Sequence, residues 1–130
     1  MKSIYSWLVL IVSITVFISS CKSSDDSSTT TSSGLFIAVG GSGTLLTSSD
    51  GTTWTAQTSG TSNNLKGVTY GNSTFIAVGG DGYANGTILT SSDGTTWTAR
   101  TSGTTNFLYR VTYGNNPFVT VGDNGTILTS

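Results

Sequence analysis

From Trp7 to Ile18 the chain is apolar at every position except Ser13 and Thr15. From Lys22 to Ser33 it carries no apolar residue, and from Gly34 onward short apolar runs alternate with clusters of Gly, Asn, Asp and Ser. The third texture predicts strands. Its runs are rich in β-branched and aromatic residues, and no stretch after the leader repeats apolar positions at a 3.6-residue period. Four strands are expected in one unit. They are Leu65–Tyr70, closed by Gly71-Asn72; Phe75–Val78, apolar on both faces and so sandwiched; Thr87–Ser91; and Trp97–Arg100.

The unit recurs. Phe-Ile-Ala-Val-Gly-Gly stands at Phe36–Gly41 and again at Phe75–Gly80, with Phe-Val-Thr-Val-Gly at Phe118–Gly122. Val68–Asn72 matches Val111–Asn115, and the ten residues Thr47–Ala56 return unchanged at Thr90–Ala99. The spacing is 39 residues from Phe36 to Phe75 and 43 from Phe75 to Phe118. A four-stranded unit of about 40 residues, each copy burying an apolar face on the next, is the pattern of one β-propeller blade. Residues 34–130 therefore predict an all-β fold, a partial β-propeller of about two and a half four-stranded blades, with strands grouped three, four and three. A ring needs four or more blades, roughly 160 residues, so it is not closed within this chain. The expectation is a truncated reading frame, several copies that complete a ring as a homo-oligomer, or an open sheet stack with free edges.

The hairpin between third and fourth strands carries the local chemistry. Asp50 and Asp93 are placed to accept turn amides, and Gly51 and Gly94 to take positive φ. Trp54 and Trp97 are expected to fold over the turn into the interior. Ser-Ser-Asp-Gly-Thr-Thr-Trp at 48–54 and 91–97 resembles the Asp-box of BNR repeats, found in sialidase-like, sortilin-type and photosystem II assembly-factor-like propellers. Ser48, Asp50, Gly51, Thr53, Trp54 and Ser91, Asp93, Gly94, Thr96, Trp97 match that motif. The usual pattern has one more residue between Asp and Gly, so this is a shortened variant. The resemblance spans the whole repeat region. It implies a propeller whose Asp-boxes are structural and lie away from the ligand-binding face.

Residues 1–20 have the layout of a signal peptide: Met1-Lys2, an apolar centre too short to span comfortably, then small residues. The alternative is a signal-anchor helix. Ile18-Ser19-Ser20-Cys21 resembles the lipobox of bacterial lipoproteins, which implies cleavage before Cys21 and diacylglycerol on its thiol. Two or more acyl chains anchor stably where one does not. Cys21 is the only cysteine, so no disulfide forms within the chain; otherwise it would be a buried free thiol. Residues 21–33 read as a Ser/Thr-rich disordered tether. Asp25 and Asp26 are linker charges or, as in some surface lipoproteins, an export signal. Lys22 is not the aspartate that retains lipoproteins on the inner membrane in enteric species. The expected location is the bacterial cell envelope, lipid-anchored, at the outer membrane, facing periplasm or surface.

Charge narrows the chemistry. Without residues 1–20 the chain keeps Lys22, Lys66, Arg100 and Arg110 against Asp25, Asp26, Asp50, Asp81, Asp93 and Asp123, a side-chain charge of −2. No basic patch supports nucleic-acid binding. There is no His and no Glu. Acid–base catalysis draws mainly on His, Glu and Asp, and the sialidase pattern needs an arginine cluster and a tyrosine–glutamate pair, so no catalytic residue is expected. Neither a metal nor a cofactor is expected; Asp81-Gly82 and Asp123-Asn-Gly125 lack the dense carboxylate spacing of a calcium loop. Three Asn-x-Ser/Thr sequons carry no glycan in a bacterium. The recurring Trp54, Trp97, Tyr70, Tyr113, Phe36, Phe75 and Phe118 read as core packing ahead of a sugar-stacking platform.

The copies differ most where Asp81–Gly86 replaces Ser42-Gly43, and where Asn106–Arg110 replaces Asn63–Gly67. Strands alternate in direction, so both segments emerge on the rim opposite the Asp-box hairpins. Asp81, Tyr83, Asn85, Tyr109 and Arg110 are the candidate binding face, weighed against simple drift in exposed loops. The function expected is a non-catalytic, lipid-anchored envelope propeller that binds or scaffolds a protein or glycan. The alternatives are an assembly-factor-like chaperone role or a fragment of a sialidase-like glycoside hydrolase.

Overall fold

The computed structural model describes residues 34–83 and 85–130. The expected signal peptide at 1–20, Cys21 and the expected tether to residue 33 lie outside them. The described residues form ten strands: β1 (Phe36–Val39), β2 (Leu45–Ser48), β3 (Thr55–Ala56), β4 (Asn64–Gly71), β5 (Thr74–Gly80), β6 (Gly86–Ser91), β7 (Thr98–Arg100), β8 (Leu108–Tyr113), β9 (Phe118–Gly122) and β10 (Ile127–Thr129). They pair antiparallel into three sheets, β1-β2-β3, β4-β5-β6-β7 and β8-β9-β10, none of them closed. No α-helix occurs among the described residues; two single 3-10 turns, Gly41–Gly43 and Asp123–Gly125, join β1 to β2 and β9 to β10. The fold is all-β, with the strands grouped three, four and three.

The register repeats position for position. Ile37 pairs with Thr47, Ile76 with Thr90 and Val119 with Thr129. The turn chemistry is legible in the chain. Asn72 and Ser73 both take left-handed φ, of 43° and 56°, as do Asn115 and Asn116, at 50° and 89°. Two consecutive left-handed residues make a type I′ turn, whose twist matches the hairpin's, so β4 runs straight into β5 and β8 into β9. Pro117 sits beside the second turn, where it costs the ladder only one donor.

The core lies between sheets. Ile37, Val39 and Leu45 of the first sheet face Leu65, Val68, Ala77, Leu89 and Trp97 of the second. Leu45, Leu65, Ala77, Val78, Leu89 and Leu108 are all at most 1% exposed. Because side chains alternate along a strand, β5 buries Ala77 toward the first sheet and turns Ile76 and Val78 toward the third. This is why its run is apolar at every position. The neighbouring strands β4 and β8 approach closely at Gly67: a Cβ there would stand 3.2 Å from the Arg110 Cα and 3.2 Å from the Tyr109 carbonyl oxygen. Thr120 Oγ1, on β9, donates to the Arg110 carbonyl at 2.8 Å.

Two sequence expectations are corrected here. Trp97 is half-buried but Trp54, in an identical hairpin, is 41% exposed. The second hairpin leans on the first sheet, where Leu35 lies against Gly94 and a Cβ on Gly94 would come within 3.2 Å of Ile37 Cδ1. Among the described residues no sheet lies on the far side of the first one to cover Trp54 in the same way. Of the recurring Tyr and Phe residues, Phe75, Tyr113 and Phe118 are half-buried, while Phe36 and Tyr70 are exposed. Tyr70 packs on Phe75 (ring centroids 4.4 Å apart) and Tyr113 on Phe118 (4.7 Å) as cross-strand pairs beside the turns. Tyr70 stays 55% exposed, and Phe36, with no such tyrosine partner, is 52% exposed.

Candidate functional site

The sheets present two rims. One holds the β2–β3 and β6–β7 hairpins. Ser48 Oγ donates to Asp50 Oδ1 at 2.9 Å and accepts the Gly51 amide at 2.8 Å, while Asp50 Oδ1 also accepts the amides of Thr52 and Thr53, each at 2.8 Å. Ser91 and Asp93 repeat the arrangement on Gly94, Thr95 and Thr96, at 2.9, 2.8, 2.8 and 2.7 Å. Gly51 and Gly94 sit at φ 75° and 76°, a conformation that costs any residue with a Cβ. Trp97 Nε1 donates to the Gly94 carbonyl at 2.9 Å, closing the second hairpin on itself. Amide donors stabilise a carboxylate over a carboxylic acid. The amide of Thr53, then that of Thr52, holds Asp50 well below the usual carboxylate range, and Thr96, then Thr95, does the same for Asp93. Both groups are fixed as anions and committed to their turns.

The opposite rim gathers most of the candidate binding residues. In the β5–β6 loop, Asp81 Oδ1 accepts the amides of Tyr83 at 2.9 Å and Asn85 at 3.2 Å, and Asn85 Nδ2 donates to Asp81 Oδ2 at 2.8 Å. That clasp leaves the Tyr83 side chain 97% exposed at the tip. The loop's root lies beside Phe107: a Cβ on Gly80 would be 3.1 Å from Phe107 Cδ2. Phe107 stacks obliquely on Tyr109, centroids 5.1 Å apart. Tyr109 is the extra residue of a β-bulge, since the β8–β9 register shifts between Leu108 and Arg110. A bulge re-aims its side chain; here the Tyr109 hydroxyl donates to Asp123 Oδ1 at 2.8 Å. This hydrogen bond, with some burial, raises the Tyr109 pKa, so the phenol stays protonated and serves as a hydrogen-bonding group rather than a phenolate nucleophile. The same bulge in β4 carries Lys66.

Arg110 stands apart from that cluster. It lines an open groove of about 610 Å³ between β4 and β8, together with Lys66, Gly67, Val68, Val119 and Val121. The site therefore divides into an aromatic and acidic rim and a groove whose two cations come from the neighbouring strands β4 and β8. Cys21 lies outside the described residues.

The sequence reading missed the ties that hold this rim. Asn63 Nδ2 donates to Thr87 Oγ1 at 2.9 Å, and Asn106 Nδ2 donates to Thr126 Oγ1 at 2.7 Å. The first links a connecting loop to β6, and the second links the next loop to the residue just before β10. Ser59 and Ser102 brace the same loops on the carbonyls of Thr61 and Thr104, at 3.2 and 2.9 Å. The signal was present, because Thr-Ser-Gly-Thr-x-Asn occurs at both Thr58–Asn63 and Thr101–Asn106. Phe107 and Asp123 are the other members the candidate list lacked. No buried side-chain nitrogen or oxygen among the described residues is left without a partner. No protein-family model, no curated protein and no solved structure matches this chain.

Proposed function

We propose that the chain is a non-catalytic protein of a bacterial cell envelope, lipid-anchored through Cys21 at the outer membrane. Its β-sheets are read as part of an Asp-box propeller of about two and a half blades, and the rim opposite the Asp-boxes binds a protein or a glycan. The observation that carries the reading is the contrast between rims. On the Asp50 and Asp93 side, the carboxylates are consumed by turn amides. On the other side Tyr83 projects free of its clasp and Tyr109 stands 45% exposed, stacked on Phe107. Rigid aromatic faces with adjacent hydrogen-bonding groups suit both sugar rings and protein side chains. A non-catalytic role is favoured by the chemistry present: Asp50 and Asp93 are locked as anions, and Tyr109, paired with the Asp123 carboxylate, is held in its neutral form.

The test is a glycan array and an in-situ crosslinking screen on whole cells, run with the full chain and with Tyr83→Ala/Tyr109→Ala. Binding to a defined glycan or protein that the double variant loses supports the reading, and binding that the variant retains refutes the assignment of the rim. For the anchor, palmitate should label the chain, and Cys21→Ser should abolish the label.

A further inference from the structure

Three aspartates of this chain stand directly before a glycine: Asp50, Asp81 and Asp93. An Asp-Gly bond is open to attack from within, because a glycine nitrogen with no Cβ beside it reaches the aspartate Cγ easily. Closure needs a protonated carboxyl turned back on its own peptide bond, and a glycine N–H that is not held elsewhere. Asp50 and Asp93 are arranged against each requirement. Their carboxylates lie forward over the amides of Thr52 and Thr53, and of Thr95 and Thr96, at 2.7–2.8 Å. Those amides keep both groups ionised. The glycine amides are taken as well: Gly51 donates to Ser48 Oγ and Gly94 to Ser91 Oγ, each at 2.8 Å.

Asp81 differs at one of these points. Its carboxylate is clasped by the amides of Tyr83 at 2.9 Å and Asn85 at 3.2 Å, and by Asn85 Nδ2 at 2.8 Å, much as the other two are. The glycine amide is what sets it apart. Two positions upstream, where the hairpins carry Ser48 and Ser91, this loop has Gly79, so no hydroxyl reaches back to it. Among the described residues nothing accepts the Gly82 N–H. Gly82 is also exposed, with nothing within 4 Å of an added Cβ, whereas Gly94 lies against Leu35.

We propose that Asp81-Gly82 is a site of spontaneous isoaspartate formation, and that Ser48 and Ser91, by holding the glycine amide three residues on, spare Asp50-Gly51 and Asp93-Gly94 the same reaction. The Gly82 nitrogen adds to Asp81 Cγ. Its proton and the carboxyl hydroxyl leave as water, and a cyclic imide remains. Water then reopens the imide at either carbonyl. One direction restores aspartate. The other passes the main chain through Asp81 Cγ, lengthening it by a methylene with no change in composition and no oxidant. The carboxylate that clasps Tyr83 and Asn85 then sits on Cα, one carbon nearer the chain, so the loop tip that carries Tyr83 is re-aimed. The change is covalent and does not depend on what the rim binds.

The test ages the full-length chain in detergent micelles, near neutral pH, in heavy-oxygen water. Each passage through the imide leaves a heavy oxygen at the site, and electron-transfer fragmentation in a mass spectrometer assigns both the label and isoaspartate to a residue. Rates are divided by those of the same bonds in the urea-unfolded chain, which removes the effect of neighbouring sequence. Asp81 is expected to react fastest, ahead of Asp50 and Asp93. Ser48→Ala should raise the Asp50 rate roughly fivefold, about what one net hydrogen bond contributes, and leave Asp93 unchanged; Ser91→Ala should do the converse. Asp81 no faster than the other two, or an Asp50 rate unmoved by Ser48→Ala, would overturn the proposal. Equal rises at Asp50 and Asp93 in Ser48→Ala would overturn it too, because general opening rather than one lost hydroxyl would then set the rate.

Discussion

Trp54 and Trp97 are the same residue in the same ten-residue context, yet their truncation should not cost the same. Removing a fully buried large aromatic costs about 3–5 kcal/mol. Trp97 is half-buried against the first sheet, which scales this to about 2 kcal/mol, and losing its N–H bond to the Gly94 carbonyl adds about 1 kcal/mol. Trp54 is 41% exposed and supports no neighbouring sheet, so Trp54→Ala should cost about 1 kcal/mol. With a urea m-value of about 1–2 kcal/mol/M, the two midpoints should differ by roughly 1 M, with the Trp97 variant lower. A glycine pair gives an independent control. Gly51→Ala and Gly94→Ala share nearly the same left-handed φ, 75° and 76°, so backbone strain cancels between them. Only at Gly94 would the new Cβ overlap Leu35; at Gly51 its nearest neighbour is Phe36 Cε2 at 3.8 Å. Gly94→Ala should be the more destabilising. Equal midpoints within either pair, or a larger loss at Trp54, would refute the claim that the second hairpin is a structural clamp on the first sheet.

Three further outcomes follow from the geometry. Asp50 and Asp93 have folded pKa values below their unfolded value of about 3.9, so the stability they add is complete above that pH and drains away as pH falls below it; the Asp50→Asn/Asp93→Asn variant should show a flatter fall in urea midpoint on acidification. Gly67→Val should force β4 away from β8, costing about 1–3 kcal/mol by urea unfolding, whereas Gly114→Ala, with nothing within 4 Å of its Cβ, should be close to neutral. Asp123→Asn should bring the Tyr109 titration down toward about 10, seen as earlier phenolate absorbance on raising the pH, because the carboxylate that accepts its proton is gone.

Much of the fold is written in single residues. The alternation of apolar runs with Gly, Asn and Ser clusters marks the strands of the middle sheet to within about two residues, and Asn72 and Asn115 sit in the left-handed positions that type I′ turns require. The two bulges were not legible. Tyr109 interrupts its ladder with no Gly or Pro beside it, and the Gly67 that follows Lys66 is not repeated at Arg110, so no shared residue marks the two bulges. Asp123 escaped for the same reason: it is 14 positions from Tyr109 and becomes its partner only once the bulge turns the ring toward it. Of the proposed rim, the sequence exposed the insertion at Asp81–Gly86, because comparing copies exposes whatever differs. It missed Asn63 and Asn106 because they do not differ.

The unequal fates of identical segments locate the energy of this molecule. Residues 47–56 and 90–99 share every side chain and nearly every hydrogen-bond distance, so local structure is fixed within the repeat. What separates them is whether another sheet stands on the outward side. Stability in stacked repeats is a sum of unit terms and neighbour terms, and here the neighbour terms are unequal. The interface of the first two sheets holds Leu45, Leu65, Ala77 and Leu89, sealed at at most 1% exposure with Trp97 packed against them. The interface of the last two keeps Val78 and Leu108 buried beside an opening of about 210 Å³, and the first has one of about 230 Å³ beside Ile37, Val68 and Phe75. Apolar space forfeits dispersion contacts along its wall, so each interface holds stability in reserve that a larger side chain beside Ile37 or Ile76 would recover.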